Sequence, residues 1–272
     1  MAKKYIVSAL ALLGFMVMVS FAMNQLLFSE LGTTMRVIRP DAVKSADESV
    51  PSYAVTDHTT TEPTGMKEGK IKLPAPALRG RMTVEESLEK RRSIRSYRDE
   101  ALTLAQVSQL LWSAYGISDS TTFTARSLRT APSAGATYPL ELYLMVRNVR
   151  GLEPGLYRYH VEGHSLSLYS SGDISRAVAD ASLGQMMLHD APASLIYTAI
   201  YSRITGRYGD RGAERYLFMD IGHSAQNVYL QATAMGLGTC AVGAFDDERL
   251  ASVVNPPLEE VILYLMPLGI PK

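Results

Sequence analysis

The chain has 272 residues, its 27 basic side chains equal its 27 acidic ones, and 47% of its residues are hydrophobic. This balance argues against general nucleic-acid binding, which needs a broad excess of Lys and Arg. The single cysteine, Cys240, excludes an internal disulfide and is expected to be a small buried hydrophobe, with a reactive thiol as the alternative. The His and Cys spacing predicts no metal site.

Residues 1–29 are predicted to form a signal peptide or a membrane anchor. The basic "MAKK" precedes an uncharged run from Ile6 to Met23, which is close to the ~18 residues of a spanning helix. The small residues of "SFA" leave cleavage open, but we favour an uncleaved anchor. The two lysines predict a membrane-anchored or exported protein whose folded part lies outside the cytoplasm, whereas "MRVIR" at residues 35–39 favours the opposite orientation.

Residues 30–79 are predicted to be an extended linker, because Thr, Pro and Gly are frequent there and no apolar period is sustained. Residues 80–272 are long enough to bury one substantial core and are predicted to be a single domain. Its first helices begin at capping boxes, Thr83 with Glu86 and Thr103 with Gln106.

Strands and one long helix follow in an irregular order. We predict a strand over residues 140–146, a hairpin in "GLYRYHVEGHSLSLY", a buried strand in "ASLIYTAI" and a terminal strand in "EEVILYLMPLG". The longest helix is predicted from Ala213 to Met235, where glycines stop it, and Asp246 caps another helix. Since no regular strand–helix–strand rhythm is present, the predicted fold class is α+β.

The stretch "RRSIRSY" packs three arginines around one serine: Arg91, Arg92, Ser93 and Arg95. Like charges this close repel one another, so a concentrated anion is needed to offset the repulsion. Guanidinium groups and a serine hydroxyl match phosphate oxygens, which predicts a phosphate site. The alternative is a solvated basic turn that Asp99 and Glu100 neutralise.

A run of small residues lies just before the strand at 140–146: Pro132, Ser133, Ala134, Gly135 and Ala136. Small side chains let a planar ligand approach the main chain, whose N–H and C=O groups can pair with the ligand's edge. An ordinary turn is the alternative.

Polar residues in and before the long helix form the third candidate group. Tyr208 can act as a proton donor if a basic group lies near it, and a surface tyrosine is the alternative. His223 and Asn227 lie four residues apart on one helix face, where structural hydrogen bonds are favoured over catalysis.

Together these stretches resemble the nitroreductase family of flavin enzymes, and most closely its SagB-type branch, which includes oxidases of peptide azoline rings. The motifs that carry the resemblance are "RRSIRSY", "PSAGATYPLELY", "GLYRYH" and "DIGHSAQNVYLQATAMGLGTCAVGAFDD", within Thr83 to Lys272. The resemblance implies a sandwich in which helices flank a central, mostly antiparallel sheet. It also implies a homodimer whose interface builds two FMN sites.

The resemblance assigns roles to residues. The arginine cluster then holds the phosphate and ribityl end of FMN, and the small residues line the isoalloxazine ring. Gly243 and Ala244 approach the ring from the "AVGAF" turn. Lys272 follows the last strand, where many family members carry a basic residue near the phosphate.

Two positions depart from the family pattern. The SagB-type azoline oxidases carry a Lys-Tyr pair where this chain has Arg207-Tyr208, and arginine is a poor general base. Gly243 stands where many nitroreductases place a glutamate. Arg207 and Tyr208 are nevertheless the catalytic candidates.

By resemblance, a reduced donor such as NAD(P)H gives hydride to the flavin, which passes electrons to a small-molecule or peptide substrate. The first hypothesis is an FMN-dependent oxidoreductase with an unidentified acceptor, tethered to a membrane through the N-terminal helix. The second is a dehydrogenase of thiazoline or oxazoline rings in peptides. The third is a flavin-binding module without turnover.

Overall fold

The structure is a computed structural model that describes residues 69–119 and 127–272. The predicted signal peptide or anchor and most of the predicted linker lie outside these ranges. Within the described ranges, no helix combines the length and the apolar character needed to cross a membrane.

The helices and strands follow the predicted order, with several short elements that the sequence did not indicate. The helices are α1 (Val84–Lys90), α2 (Leu104–Tyr115), α3 (Ser175–Ala181), α4 (Met187–Asp190), α5 (Tyr201–Tyr208), α6 (Leu217–Ala234) and α7 (Asp247–Val254). The strands are β1 (Ile71–Lys72), β2 (Ile117–Asp119), β3 (Leu128–Arg129), β4 (Leu140–Val146), β5 (Gly155–His160), β6 (Ser165–Ser171), β7 (Ala193–Ile200), β8 (Gly238–Thr239) and β9 (Glu260–Gly269).

One antiparallel sheet of seven strands forms the centre of the fold, in the order β1-β6-β5-β4-β7-β9-β8. Successive side chains of a strand point to opposite faces. Along β4, Leu142 and Leu144 pack in one hydrophobic cluster with α2 and α6, whereas Tyr143 and Met145 pack in another with α3, α4 and α7. The sheet is therefore covered on both faces, and the predicted α+β sandwich is confirmed.

Both predicted capping boxes are present. The Thr83 hydroxyl accepts from the Glu86 N–H at 3.2 Å, and the Glu86 carboxylate accepts from the Thr83 N–H at 2.9 Å. Thr103 and Gln106 make the same two bonds at 3.2 and 2.8 Å. Each box satisfies two N–H groups that the helix itself cannot pair, so the two helices begin where the sequence places them.

The folded domain begins before Gly80 and includes residues 69–77, which we call the N-terminal arm and which the sequence analysis assigned to the linker. β1 pairs with β6, and Leu73 is buried. The His164 ring lies under the arm, with Nε2 2.7 Å from the Ser108 hydroxyl and 3.0 Å from the Pro74 carbonyl. The arm is thus hydrogen-bonded to both a strand and a helix of the domain.

The longest helix differs from the prediction at its start. Residues Gly212–Tyr216 form a π-helical turn, and the α-helix α6 begins at Leu217. Gly212 packs closely on α5, because a Cβ at this position would lie 2.9 Å from the Ile204 carbonyl oxygen. This close approach brings the end of α5 beside the start of α6.

Candidate active site

The cluster "RRSIRSY" forms an extended segment, Arg91–Tyr97, that we call the arginine segment and that leaves α1 at its C-terminal end. Arg91 is the helix C-cap, and its guanidinium carbon lies 5.2 Å from the centre of the Tyr229 ring. The Arg92 guanidinium donates to the carbonyls of Glu89 and Arg91 at 2.7 and 2.8 Å. Arg95 is exposed.

The two acidic residues that follow the segment form ion pairs with arginines outside it. Asp99 pairs with Arg147 at 3.0 Å, and Glu100 pairs with Arg98 at 3.6 Å. Within residues 69–119 and 127–272, the three arginines of the segment form no ion pair with a carboxylate. Asp99 and Glu100 therefore do not neutralise the arginine segment.

Backbone pairing on two sides fixes the arginine segment. The Ile94 N–H donates to the Thr239 carbonyl at 2.9 Å, next to β8. On the other side, the Arg98 N–H donates to the Ile270 carbonyl at 2.8 Å, and the Lys272 N–H donates to the Ser96 carbonyl at 3.2 Å. The backbone of Lys272 thus lies beside the segment.

Tyr229 of α6 joins the segment to the stretch after β8, and the sequence analysis missed it. Its hydroxyl lies 3.1 Å from the Ser93 hydroxyl and accepts from the Ala241 N–H at 2.7 Å. With Arg91 over its ring, Tyr229 contacts two members of the predicted phosphate site. Sequence reasoning could not find this role, because Ser93 and Tyr229 are far apart along the chain.

Gly243 and Ala244 are exposed at the end of the stretch that starts at β8. Val242 pairs with Leu265 of β9 and fixes the turn, and the Ala244 carbonyl accepts from the Gln185 side chain at 2.8 Å. A Cβ on Gly243 would lie 3.4 Å from the Tyr264 ring. Upstream of this turn, Gly238 and Thr239 form β8, and Val242 forms an isolated bridge to β9.

The small residues Pro132–Ala136, the small-residue loop, are held by a carboxylate of α6. The Ser133 hydroxyl donates to Asp220 Oδ2 at 2.6 Å, and the Ala134 N–H donates to Asp220 Oδ1 at 3.1 Å. Gly135 and Ala136 have left-handed φ values of 57° and 51°. Such values strain any residue except glycine, so the loop keeps its shape through its bonds to α6.

Asp220 is a second residue that the sequence analysis missed. Its side chain is buried, and burial raises the pKa of the carboxyl above its ordinary value, while the bonds from Ser133 and Ala134 and the nearby His223 oppose that rise. The sequence signal that could have indicated its role is an Asp next to the apolar stripe of a helix, since a carboxylate that becomes buried needs hydrogen-bond donors.

The catalytic candidates lie against the small-residue loop. Arg207 Nη1 donates to the Gly135 carbonyl at 3.3 Å. A Cβ on Gly135 would lie 2.5 Å from the Tyr208 hydroxyl and 2.8 Å from Arg207 Nε. Residues that are more than 70 positions apart in sequence thus meet at one glycine, where a Cβ would displace the ends of both side chains and the left-handed φ favours glycine.

The remaining polar candidates on α6 are Asn227 and His223. The Asn227 amide donates to the Thr130 carbonyl at 3.1 Å, and His223 is exposed. Cys240 is buried, in agreement with the small hydrophobe that the sequence predicts.

The arginine segment and the small-residue loop attach to α6 at different points. Tyr229 and Asp220 are nine residues apart on this helix, which corresponds to roughly 13 Å along its axis. A separate open cavity of about 810 Å³ lies between residues 75–84, α2 and α6, and Asn227 is the candidate residue among those that line it.

Comparison with known sequences assigns the chain to a class of protein. The sequence profile of the nitroreductase family matches residues 88–270, and the chain belongs to this family of oxidoreductases. A Methanocaldococcus jannaschii protein that carries a nitroreductase name is 47% identical over 186 residues, which are 68% of this chain and 90% of that one.

Two further relatives bear on fold and branch. A crystal structure from Ralstonia eutropha, described as a nitroreductase, superposes with a TM-score of 0.63 at 28% identity and covers 76% of this chain and 92% of its own. The trifolitoxin-processing protein TfxB of Rhizobium leguminosarum bv. trifolii is 32% identical over 137 residues, 48% of this chain. The match spans 37% of TfxB.

Proposed function

We propose that this protein is an FMN-dependent oxidoreductase that passes a hydride from a reduced donor such as NAD(P)H to an acceptor molecule. The observation that carries the proposal is the arginine segment, whose three guanidinium groups have no carboxylate partner among the described residues. A terminal phosphate has close to two negative charges and would offset their repulsion.

The chain's residues fit this cofactor in two places. Arg91, Arg95 and the Ser93 hydroxyl would hold the phosphate, and Lys272 lies next to them through its backbone. The small-residue loop would lie along the flavin ring, because its short side chains let a flat partner approach closely. Gly243 and Ala244 are exposed and leave their turn equally open.

When bound, FMN would supply the hydride chemistry, and the protein would supply binding and orientation. The Tyr208 hydroxyl is placed to give a proton to the acceptor, because it lies at Gly135 in the loop that would line the ring. Arg207, hydrogen-bonded to the Gly135 carbonyl, would position the loop and hold negative charge on the acceptor.

We also propose that a homodimer completes the site. In one chain the two candidate regions are bonded to points of α6 that lie roughly 13 Å apart, and the family resemblance implies an FMN site built by two subunits. Each copy would then give its arginine segment to one site and its small-residue loop to the other.

An absorption spectrum of the purified full-length protein tests the main proposal. We expect absorption bands at about 370 and 450 nm, which flavins show generally. Addition of NADH in the absence of oxygen should bleach the second band. A colourless protein that takes up no FMN, as monomer or as dimer, would overturn the proposal. A yellow protein that no donor reduces would favour a binding module without turnover.

The similarity to the trifolitoxin-processing protein supports a second candidate, oxidation of azoline rings in a peptide. The ring would lose two hydrogens, one as hydride to FMN and one as a proton to a base of the site. Arg207 in the position of the family's lysine opposes this candidate, because its guanidinium stays protonated. A cyclised peptide whose mass falls by two hydrogens per ring after incubation would support it, and an unchanged mass would exclude it.

A further inference from the structure

Four arginines recur at every fourth position in and after α5: Arg203, Arg207, Arg211 and Arg215. All four side chains belong to exposed residues. Arg203 is neutralised by Glu141 at 2.7 Å. The other three, which we call the arginine row, form no ion pair with any residue of 69–119 or 127–272.

Aromatic rings hold two guanidinium groups of the row in place. Arg207 lies 5.6 Å from the centre of the Tyr208 ring, and Arg211 lies 5.9 Å from the centre of the Tyr216 ring. The two rings contact each other edge to face at 5.0 Å. Stacking on a ring face leaves the N–H edge of a guanidinium available to an anion.

Arg207, the first member of the row, lies beside the proposed flavin site, and two exposed apolar residues follow the row in sequence. Arg207 and Tyr208 contact Gly135 of the small-residue loop. Phe218 and Met219, on the first turn of α6, each expose 51% of their surface. Positive charge and exposed apolar side chains are therefore next to each other in sequence, just beyond the catalytic candidates.

We infer that the arginine row binds a carboxylate of the electron acceptor, so that the preferred acceptors are organic acids with an apolar body. This inference rests on the proposed function. The chain as a whole has no net charge, and the acidic neighbours of the row, Asp210 and Glu214, are exposed and form no ion pair with a described residue. Three guanidinium groups against two carboxylates leave the surface positive.

Binding of two matched probes to the full-length, FMN-loaded protein tests the inference. Equilibrium dialysis would compare 4-nitrobenzoate with 4-nitrobenzamide, which share the ring and the nitro group and differ in charge. We expect the acid to bind about tenfold more tightly at low salt, with this preference falling as salt is added. The double variant Arg211→Gln/Arg215→Gln should lose the preference and keep its affinity for the amide.

The matched control is Arg150→Gln/Arg249→Gln, which removes the same charge from two exposed arginines that form no ion pair with a described residue. It should keep the preference for the acid. Equal binding of acid and amide by the parent protein, or an equal loss in the control, would overturn the inference. Circular dichroism would confirm that both double variants are folded.

Two readouts show which claim fails and whether the row binds the acceptor or the donor. If the sample takes up no FMN, the proposed function itself fails. If the sample is yellow and reducible but shows no preference for the acid, only the inference fails. The rate of flavin reduction against NADH concentration gives the donor's affinity. Loss of that affinity in Arg211→Gln/Arg215→Gln, with acid binding unchanged, would mean that the row serves donor phosphates and would overturn the carboxylate assignment.

Discussion

The arginine segment and the small-residue loop, which we propose to bind one cofactor, are held in the fold by opposite means. The segment's backbone is paired on two sides, with Thr239 and Ile270, so its charged side chains are left for a partner. The loop is fixed by the Asp220 side chain, which accepts hydrogen bonds from Ser133 and Ala134, so the loop presents a surface of short side chains. The segment therefore presents long charged side chains, whereas the loop presents short ones.

This difference predicts how each region responds to substitution. In the segment, removing a guanidinium should weaken binding and leave the fold nearly unchanged. In the loop, adding a single methyl group at Gly135 should disturb the local structure, because it would displace the ends of the Tyr208 and Arg207 side chains at a backbone with left-handed φ.

The largest effect is expected from Arg91→Ala combined with Arg95→Ala. Charge-assisted hydrogen bonds contribute about 1.5–3 kcal/mol each, so losing two should weaken FMN binding by about 10²–10⁴-fold. Quenching of FMN fluorescence on titration measures this, with Arg150→Ala/Arg249→Ala as the charge-matched control. A double variant that binds FMN as tightly as the control would refute the assigned phosphate site.

Tyr208→Phe should lower turnover by about 10²-fold, the usual size of a general acid's contribution, while FMN binding is unchanged. Its ring contact with Tyr216 would remain. Tyr216→Phe is the control, because it also keeps both rings and removes a hydroxyl that does not meet Gly135. Unchanged turnover of Tyr208→Phe with every acceptor tested would remove this residue from the mechanism.

Gly135→Ala should destabilise the protein by about 1–2 kcal/mol through its left-handed φ, and by more if Tyr208 cannot move. We expect turnover to fall by about tenfold, because the catalytic pair is displaced. Ala136→Gly, one residue further, relieves a left-handed alanine instead and should not destabilise the protein. The melting temperatures of both variants, from thermal unfolding, test this. An unchanged melting temperature for Gly135→Ala would show that the loop tolerates a side chain at this position.

The smallest effect concerns pH. Burial raises the pKa of Asp220, so the native state holds this proton more tightly than the unfolded state does. Stability should therefore decline as the pH rises from the ordinary Asp value through the raised one, where the unfolded state ionises first. Asp220→Asn should lack this decline, as urea unfolding across that range would measure; a parallel decline in both proteins would contradict the assignment.

Local signals explain most of what the sequence predicts correctly. Capping boxes, alternation and helix-ending glycines act within a few residues, and they located α1, α2, β4, the hairpin and β9. The arginine segment and the small-residue loop were found for the same reason, since each is one short run of unusual composition.

The missed features depend on contacts between distant parts of the chain. Tyr229 and Asp220 are ordinary residues of a helix until the fold brings Ser93 and Ser133 to them. The short strands β1, β2, β3 and β8 have two or three residues each, too few for a period to be recognised. Their positions follow from the neighbours with which they pair.

The N-terminal arm determines how the protein can be shortened. β1 pairs with the outer side of β6 and so occupies one end of the sheet. A protein trimmed to begin at Gly80 would present unpaired N–H and C=O groups of that edge to solvent, where the edge of a second molecule can bind. Aggregation of such a shortened protein would then result from the exposed edge of β6. Versions that begin at Gly69 and so retain β1 should not aggregate.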